Sequence, residues 1–197
     1  MIKQSIGRPK SFDEQEALFL AMNYFWDHGY DNSSLEKLLK AMKIKKSSFY
    51  STFRSKEELF SRCLDLYRKE MLSQLNMREK EIGPKATMLM MASSVIQELK
   101  ETGKVRGCLL INSSQESYNK YNNLSHQIAM EYSFFINLFI EFVEKSKKLG
   151  EIKSKRNSRM IAGRYTNTIK GLIVGIQAGM AEDMMDDIVE SSKEILQ

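Results

Sequence analysis

The chain has 197 residues, of which 42% are hydrophobic and 28% are charged, and its formal net charge is +5. These proportions are typical of an ordinary globular protein and exclude a disordered or fibrous chain. No apolar run approaches the roughly 18 residues that a membrane-spanning helix needs, and the N-terminus lacks the apolar stretch of a signal peptide. We therefore expect a cytoplasmic protein of one domain or two small ones, with no membrane partner.

The cysteines and histidines give no sign of a metal or a disulfide framework. Cys63 and Cys108 lie in different segments without metal-ligand spacing, and two thiols in a chain of this length favour a reducing compartment. His28 and His126 have no third ligand at a suitable spacing. We therefore expect no metal site and no cofactor.

The positive charge is concentrated in the N-terminal third. Seven basic residues and no acidic residue lie between Lys37 and Lys56, and residues 1–12 add three more. Residues 181–197 hold six acidic residues and one lysine. A cationic end and an anionic end in one chain indicate a polyanion-binding module joined to a second module. The alternative for the basic stretch is a solubilising surface with no partner.

Three segments carry the pattern of a helix start. A serine precedes a glutamate by three residues in the pairs Ser11–Glu14, Ser33–Glu36 and Ser55–Glu58. In such a capping box the serine oxygen accepts a hydrogen bond from the backbone N–H three residues on, and the glutamate reaches back to the serine. We therefore predict helix starts at these serines and the end of the first helix at Gly29.

The segment between the second and third starts predicts two short helices and a turn. Leu35, Leu38 and Leu39 follow Ser33 at helical spacing. After the turn "MKIK", the stretch "KSSFYSTF" predicts a further short helix, and the next helix runs from Ser55 to about residue 80. Two short helices joined in this way form a helix-turn-helix, whose later helix enters the major groove of DNA.

Longer helices are predicted for the rest of the chain. Pro84 is placed to start a helix after the break "IGP", and a second break falls at "ETGKVRG", 101–107. The segment 132–143 is apolar on nearly all sides and should be buried. The last two helices should cover about 158–180 and 183–196. The predicted fold class is all-α.

The stretch "SSLEKLLKAMKIKKSSFYSTFRSKEELFSRCLDLY", with the preceding "GRPKSF" and "HGY", resembles the DNA-binding segment of the TetR (tetracycline repressor) family of bacterial regulators. The family signature is Tyr-x-x-Phe at the end of the recognition helix, here Tyr50 and Phe53. Ser/Asn-Lys-Glu-x-Leu follows, here Ser55 to Leu59. The resemblance covers about residues 7–67. The stretch "GCLLINSSQE" is similar to part of the ligand-binding half of one TetR subgroup.

The resemblance implies a division of the chain and a function. Residues 1–54 would form the DNA-binding helix-turn-helix domain with a basic N-terminal arm, and residues 55–197 a helical ligand-binding and dimerisation domain. The function implied is that of a homodimeric transcriptional regulator, a repressor that a small-molecule effector releases from a palindromic double-stranded DNA operator. No enzymatic activity and no catalytic residue are implied.

The residues expected to contact DNA have hydroxyl or basic side chains near helix starts or on the arm. Hydroxyls and N–H groups at a helix start suit a phosphate, lysine suits guanine O6 and N7, and basic arms enter the minor groove. The candidates are Arg8, Lys10, Ser33, Ser34, Lys45, Lys46, Ser47, Ser48, Tyr50, Ser51, Thr52 and Lys56. Phe49 and Phe53 are instead predicted to fasten the recognition helix to the first helix.

The turn before the recognition helix departs from the family pattern. Lys43 stands where the family usually has glycine, and Lys45 where it usually has serine. If the turn needs a positive φ, a lysine there costs up to about 1–2 kcal/mol. Either the geometry of the turn differs in this chain, or an additional phosphate contact by the lysine offsets the strain.

Two further sets of residues are candidates for an effector cavity and a dimer interface. The cavity set is Met88, Met91, Val95, Cys108, Asn112, Gln115, Phe134, Phe135 and Leu138, and the alternative for each apolar member is ordinary core packing. The interface set is Gly171, Leu172, Gly175, Ala178 and Gly179, because small residues let helices approach closely; its alternative is internal packing. Cys108 is either a buried spectator or a redox or electrophile sensor.

Three other functions are open to a chain of this kind. An enzyme would need a carboxylate pair, a Ser–His–Asp set or a metal cluster, and the sequence supports none of these. A TetR-like adaptor would bind a protein partner instead of DNA, although the retained basic stretch argues against it. A nucleoid-type protein would bind DNA without an operator. Salt-dependent DNA binding, measured with competitor DNA, distinguishes these functions.

Overall fold

A computed structural model describes residues 12–118 and 120–197 of the chain. Within these ranges the chain is helical and contains no strand, which confirms the predicted all-α class. The helices are α1 (Glu14–His28), α2 (Leu35–Met42), α3 (Lys46–Phe53), α4 (Lys56–Ile82), α5 (Pro84–Thr102), α6 (Leu109–Ser117), α7 (Asn122–Lys148), α8 (Ser158–Gln177) and α9 (Glu182–Ile195).

The chain divides into two compact units, Met1–Leu66 and Tyr67–Gln197, which we call the N-terminal unit and the C-terminal unit. The boundary falls inside α4. The predicted boundary between two domains, after residue 54, was placed at the end of the DNA-binding motif. That boundary stays a prediction.

Two of the three predicted helix starts in the N-terminal unit are shifted along the chain. α1 begins after Asp13, not at Ser11, and the Asp13 carboxylate accepts hydrogen bonds from two backbone N–H groups of the first turn at 2.8 and 3.1 Å. Ser34 rather than Ser33 caps α2. Ser55 accepts a hydrogen bond from a first-turn N–H of α4 at 3.0 Å, as predicted. Neighbouring Asp and Ser residues are equally good caps, so the pattern located the helices but not their first residues.

An aromatic cluster forms much of the interior of the N-terminal unit. The rings of Phe25 and Phe60 meet edge to face with their centroids 4.8 Å apart, and Tyr30 lies 5.0 Å from Phe60. Phe49 and Phe53 of α3 are fully buried, with centroids 5.9 Å apart. The interior position of both α3 rings was predicted, and burial of each ring contributes about 2 kcal/mol or more to stability.

The C-terminal unit is a bundle in which α7 packs against α5, α6 and α8, and α9 packs against α5 and α8. Its largest buried side chain is Tyr165 of α8, whose hydroxyl donates to the backbone carbonyl of Met88 in α5. Burial raises the pKa of the Tyr165 phenol well above its usual range, so the group stays a neutral donor. No helix in the described ranges is long and apolar enough to cross a membrane.

Candidate nucleic-acid interface and ligand pocket

The recognition helix α3 has one buried and one exposed face. Its eight residues coincide with the predicted stretch "KSSFYSTF". Phe49 and Phe53 are fully buried, whereas Lys46, Ser47 and Tyr50 are exposed, the last by 48%. Tyr50 presents an apolar ring and a hydroxyl on this exposed face, a combination that is common at contact surfaces. The buried rings therefore fix the helix while its basic and hydroxyl side chains remain accessible.

The start of α3 is left open to an anion. Lys45 occupies the N-cap position in an extended conformation and makes no side-chain hydrogen bond to the first turn. The first N–H groups of a helix have no partner within the helix, and they carry a partial positive charge. The exposed ammonium groups of Lys45 and Lys46 add to this charge. A phosphate is the kind of group that such a helix start accommodates.

Arg62 of α4 holds the far end of α3, a role that the sequence reading missed. Its guanidinium donates to the backbone carbonyl of Thr52 at 3.3 Å and lies 4.8 Å from the centroid of the Phe53 ring. It also forms an ion pair with Glu14 at the start of α1. Two contacts with α3 and one with α1 mean that this side chain positions the recognition helix from within the N-terminal unit. An arginine at helical spacing gives no such signal in the sequence.

Both ends of α3 are bounded by non-glycine residues with positive φ. Lys43 ends α2 with φ 56° and ψ 35°, the left-handed conformation. Arg54 ends α3 with φ 59° and ψ −50°, and the N–H of Ser55 donates to the carbonyl of Phe53 at 2.6 Å. This closes a γ-turn of the rare, strained type. Lys43 therefore occupies a position that favours glycine. The first of the two explanations for this lysine, that the turn has a different geometry in this chain, is wrong.

The strain at Lys43 leads to a testable prediction. We expect Lys43→Gly to raise the free energy of unfolding of the N-terminal unit by about 1 kcal/mol, because glycine adopts the left-handed conformation without a Cβ clash. Urea unfolding followed by the fluorescence of Trp26, the one tryptophan of the chain, measures this. The matched control is Lys40→Gly in α2, which should lower stability by about 1 kcal/mol. Equal effects of the two substitutions would contradict the strain at Lys43.

The other predicted DNA contacts differ in their accessibility. Ser34 is exposed, but Ser33 is fully buried and its hydroxyl donates to the carbonyl of Gly29 at 2.5 Å, so its assignment as a phosphate contact is wrong. The Lys56 ammonium lies 4.3 Å from the centroid of the Tyr30 ring and is half-buried. It is therefore part of the packing as well as a candidate contact. Arg8 and Lys10 lie outside the described residues.

The hydroxyls of α3 divide in the same way. Ser48 and Thr52 are half-buried, whereas Ser51 is exposed and its hydroxyl donates to the backbone carbonyl of Ser48 at 3.0 Å. The oxygen of Ser51 still has lone pairs, but its proton is engaged within the helix. Tyr50 is exposed by 48% and offers a second accessible hydroxyl on the same turns of α3.

Comparison with protein families gives a match in the N-terminal unit. Residues 16–63, which contain most of α1 and all of α2 and α3, match the family described as bacterial regulatory proteins, tetR family. The match covers 48 of the 197 residues and falls on the segment that carries the resemblance to the TetR family.

Similar proteins extend this likeness over nearly the whole chain. The HTH-type transcriptional repressor ComR of Escherichia coli K12 is 27% identical over 95% of this chain and 90% of its own. A TetR-family regulator from Cytophaga hutchinsonii has a solved structure with a TM-score of 0.80 at 19% identity, covering 92% of each chain. A cysteine mutant of the TetR-family regulator CifR, solved with a 26-base-pair operator, has a TM-score of 0.79 at 23% identity, covering 97% of this chain and 100% of its own. Identities this low between structures show a shared fold.

The C-terminal unit contains an open pocket of about 240 Å³ between α6, α7 and α8. Its walls include Leu110, Ile128 and Tyr132, with Lys170 of α8 at its edge. None of the nine predicted cavity residues lines it. Met88 and Leu138 belong to the internal core of the unit, while Met91, Val95, Cys108 and Phe135 pack partly buried against that core.

The remaining predicted cavity residues have other contacts. The amide of Asn112 donates to the carbonyl of Arg106 at 3.0 Å, and Gln115 is exposed. Phe134 packs edge to face on Phe135 with centroids 5.8 Å apart. The pocket was missed because serines of α6 and the first half of α7, not a run of methionines and phenylalanines, form much of its wall.

Cys108 lies beside a buried phenol. The hydroxyl of Tyr67 is 3.4 Å from the Cys108 sulfur, and burial raises the pKa of Tyr67 well above its usual range. Cys63 is fully buried, 3.8 Å from the carbonyl of Leu18, and burial raises the pKa of its thiol well above its usual range. A thiol held neutral in this way is chemically inert. Cys63 is therefore a structural cysteine.

The small residues proposed for the dimer interface have different surroundings. Leu172 is fully buried within its own unit, so its assignment to the interface is wrong. A Cβ on Gly175 would lie 2.1 Å from the Met180 terminal methyl carbon, and Gly179 has φ +89°, so both glycines serve the turn that follows α8. Gly171 and Ala178 are exposed, with open space around Gly171. Those two remain available for contact with a second chain.

Proposed function

We propose that this protein is a ligand-responsive DNA-binding transcriptional regulator, a homodimeric repressor that a small molecule releases from its operator. The observation that carries the proposal is the two-sided recognition helix. Buried Phe49 and Phe53 fix α3, and Lys45, Lys46 and Tyr50 stand exposed beside its uncapped start. The operator complex of CifR and the description of ComR as a repressor support the same function.

The exposed residues of α2 and α3 take different parts in this proposal. Lys46, Ser47 and Ser48 at the start of α3 reach base edges, where lysine is suited to guanine O6 and N7. Ser34 and Lys45 lie at helix starts and hold phosphates, which set the register without reading sequence. The phosphate set also includes Tyr50, Ser51, Thr52 and Lys56, and Arg8 and Lys10 are assigned to the minor groove.

A dimer gives the operator its symmetry. Two recognition helices read successive major grooves when they are separated by about 34–36 Å or a multiple of this distance, which favours a palindromic site. A ligand that binds better to a different spacing shifts the equilibrium away from the DNA-bound state. A hundredfold difference in affinity corresponds to about 2.7 kcal/mol.

The experiment compares two lysines that are adjacent in sequence. We expect Lys46→Ala to weaken binding to a mapped operator by about 1–3 kcal/mol and to reduce discrimination against random DNA. Lys45→Ala should weaken binding to all duplexes alike and reduce the slope of log affinity against log salt by about one. Fluorescence anisotropy with labelled operator and random duplexes, at two salt concentrations, measures both effects.

The matched control is Lys148→Ala, an exposed lysine at the end of α7 in the C-terminal unit, which should change neither quantity. Lys45 is preferred to Lys56 for the phosphate test because removal of Lys56 also removes its contact with Tyr30. If neither α3 variant differs from the parent, the DNA-contact assignment is wrong. If the parent binds no duplex in a salt-dependent way, the regulator proposal is wrong and an adaptor that binds protein becomes the better explanation.

A further inference from the structure

We propose that the pocket between α6, α7 and α8 binds a small amphipathic anion, most simply a monocarboxylate with an apolar body, and that Lys170 is its charge partner. The inference deepens the proposed function, because it assigns a chemical class to the effector and a location to its site. The argument depends on the charge of the pocket lining, on a hydroxyl donor in its wall, and on the apolar walls.

The charge of the lining has one sign. Lys170 contributes to the pocket, and no aspartate or glutamate does. Within the described residues the Lys170 ammonium makes no ion pair or hydrogen bond, and it lies 5.7 Å from the centroid of the Tyr132 ring. Lys145, by contrast, pairs with Glu79 at 2.5 Å. A half-buried cation over an aromatic ring, with no acid beside it, attracts an anion.

A second donor lines the pocket. Ser117 is only 4% exposed and forms part of the pocket wall, where its hydroxyl can donate to a bound acceptor. The neighbouring hydroxyls are engaged, because Ser114 donates to the carbonyl of Ile111 at 2.8 Å and Ser125 to that of Ser117 at 2.9 Å. Ser117 and Lys170 are therefore the two donors that we assign to an oxyanion.

The rest of the lining excludes a fully polar ligand such as inorganic phosphate. Leu110, Ile111, Ile128 and Ala129 supply apolar surface, and Tyr132 adds an aromatic face. The volume of about 240 Å³ is a little below the roughly 300–1,000 Å³ of sites for drug-sized ligands, so it suits a small ligand. A ligand with one anionic end and a short hydrocarbon or aromatic body matches both the volume of the pocket and its lining, which has one cationic side chain beside apolar walls.

The test uses octanoate with the uncharged octanol and the cationic octylamine, which share its hydrocarbon chain. Isothermal titration calorimetry on the full chain should show octanoate binding most tightly and octylamine least. Lys170→Met should weaken octanoate about tenfold to a hundredfold and leave octanol unchanged, because a charge-assisted hydrogen bond is lost and the apolar wall is kept. Lys170→Arg should retain most of the octanoate affinity.

Two controls separate pocket binding from non-specific association. Lys148→Met removes an exposed lysine outside the pocket and should bind octanoate like the parent. Ala129 is exposed and lines the pocket, so Ala129→Phe should place a ring in the pocket without disturbing the core, and should abolish binding of octanoate and octanol alike. Melting curves by circular dichroism verify that each variant is folded.

The outcomes distinguish this inference from the proposed function. Equal affinity for the three probes, or an octanoate affinity that Lys170→Met leaves unchanged, would overturn the anion assignment while operator binding stands. Conversely, if octanoate binds through Lys170 and operator affinity does not change, the pocket assignment holds and the ligand-release part of the proposed function fails. If the protein binds no operator, the calorimetric measurement of octanoate binding still tests the pocket by itself.

Discussion

Phe49→Ala is expected to lower the free energy of unfolding of the N-terminal unit by about 3–5 kcal/mol. The ring is fully buried and packs beside the fully buried Phe53, so its removal leaves a cavity as well as lost apolar contact. A loss of this size is a large part of the about 5–15 kcal/mol that stabilises a typical domain. It should also weaken binding to every duplex, because α3 is then held in place less of the time.

Urea unfolding of the full chain, followed by the fluorescence of Trp26 in α1, reports on this unit. Phe19→Ala is the matched control, since Phe19 lies on the same unit but is 49% exposed. Its substitution should change stability by no more than about 0.5 kcal/mol. A loss below about 1 kcal/mol for Phe49→Ala would mean that the ring does not hold α3 in the core.

The recognition helix illustrates how much of the fold the sequence could predict. The alternation of Phe49 and Phe53 with hydroxyl and basic residues is a local pattern, and it gave both the bounds and the buried face of α3. The cap of α2 shows the limit of local reasoning. Ser33 and Ser34 are chemically equivalent in the sequence, and only the packing of Ser33 against the carbonyl of Gly29 decides between them.

Features that depend on distant parts of the chain could not be predicted. Arg62 pairs with Glu14, which lies 48 positions earlier in the chain. Nothing in the sequence around Arg62 distinguishes it from an ordinary surface residue of a helix. The pocket likewise combines α6, α7 and α8, whose relative placement is not encoded in any one of them. The predicted cavity residues were selected for hydrophobicity, and hydrophobic residues such as Met88 are the ones that a closed core takes up.

A partly buried ion pair in the C-terminal unit carries the second large effect. Arg68 of α4 and Glu131 of α7 approach to 3.0 Å between Nε and Oε2, and the Glu131 side chain is only 11% exposed. The Arg68 guanidinium also lies 5.5 Å from the centroid of the Phe134 ring. Glu131 lies on α7 beside Ile128 and Tyr132, which line the pocket, so the pair connects the pocket helix to α4.

Replacement of one partner of this pair should lower the free energy of unfolding more than replacement of both by apolar residues. We expect Arg68→Met to lower the free energy of unfolding by about 3 kcal/mol, because it leaves a buried carboxylate without its counter-charge. Arg68→Met combined with Glu131→Leu should recover most of that loss, since an apolar pair of similar volume needs no compensation. The coupling energy of the double-mutant cycle should therefore be about 2 kcal/mol in urea unfolding followed by circular dichroism.

The exposed pair Arg78–Glu81, at 3.2 Å on the same helix, provides the control. Its side chains are 47% and 50% exposed, so water screens the charges and Arg78→Met should cost no more than about 0.5 kcal/mol. A double mutant as unstable as Arg68→Met alone would show that the charges matter less than the packing of the arginine stem. Recovery in the double mutant would instead show that each charge is costly without the other and that the two stabilise the unit only as a pair.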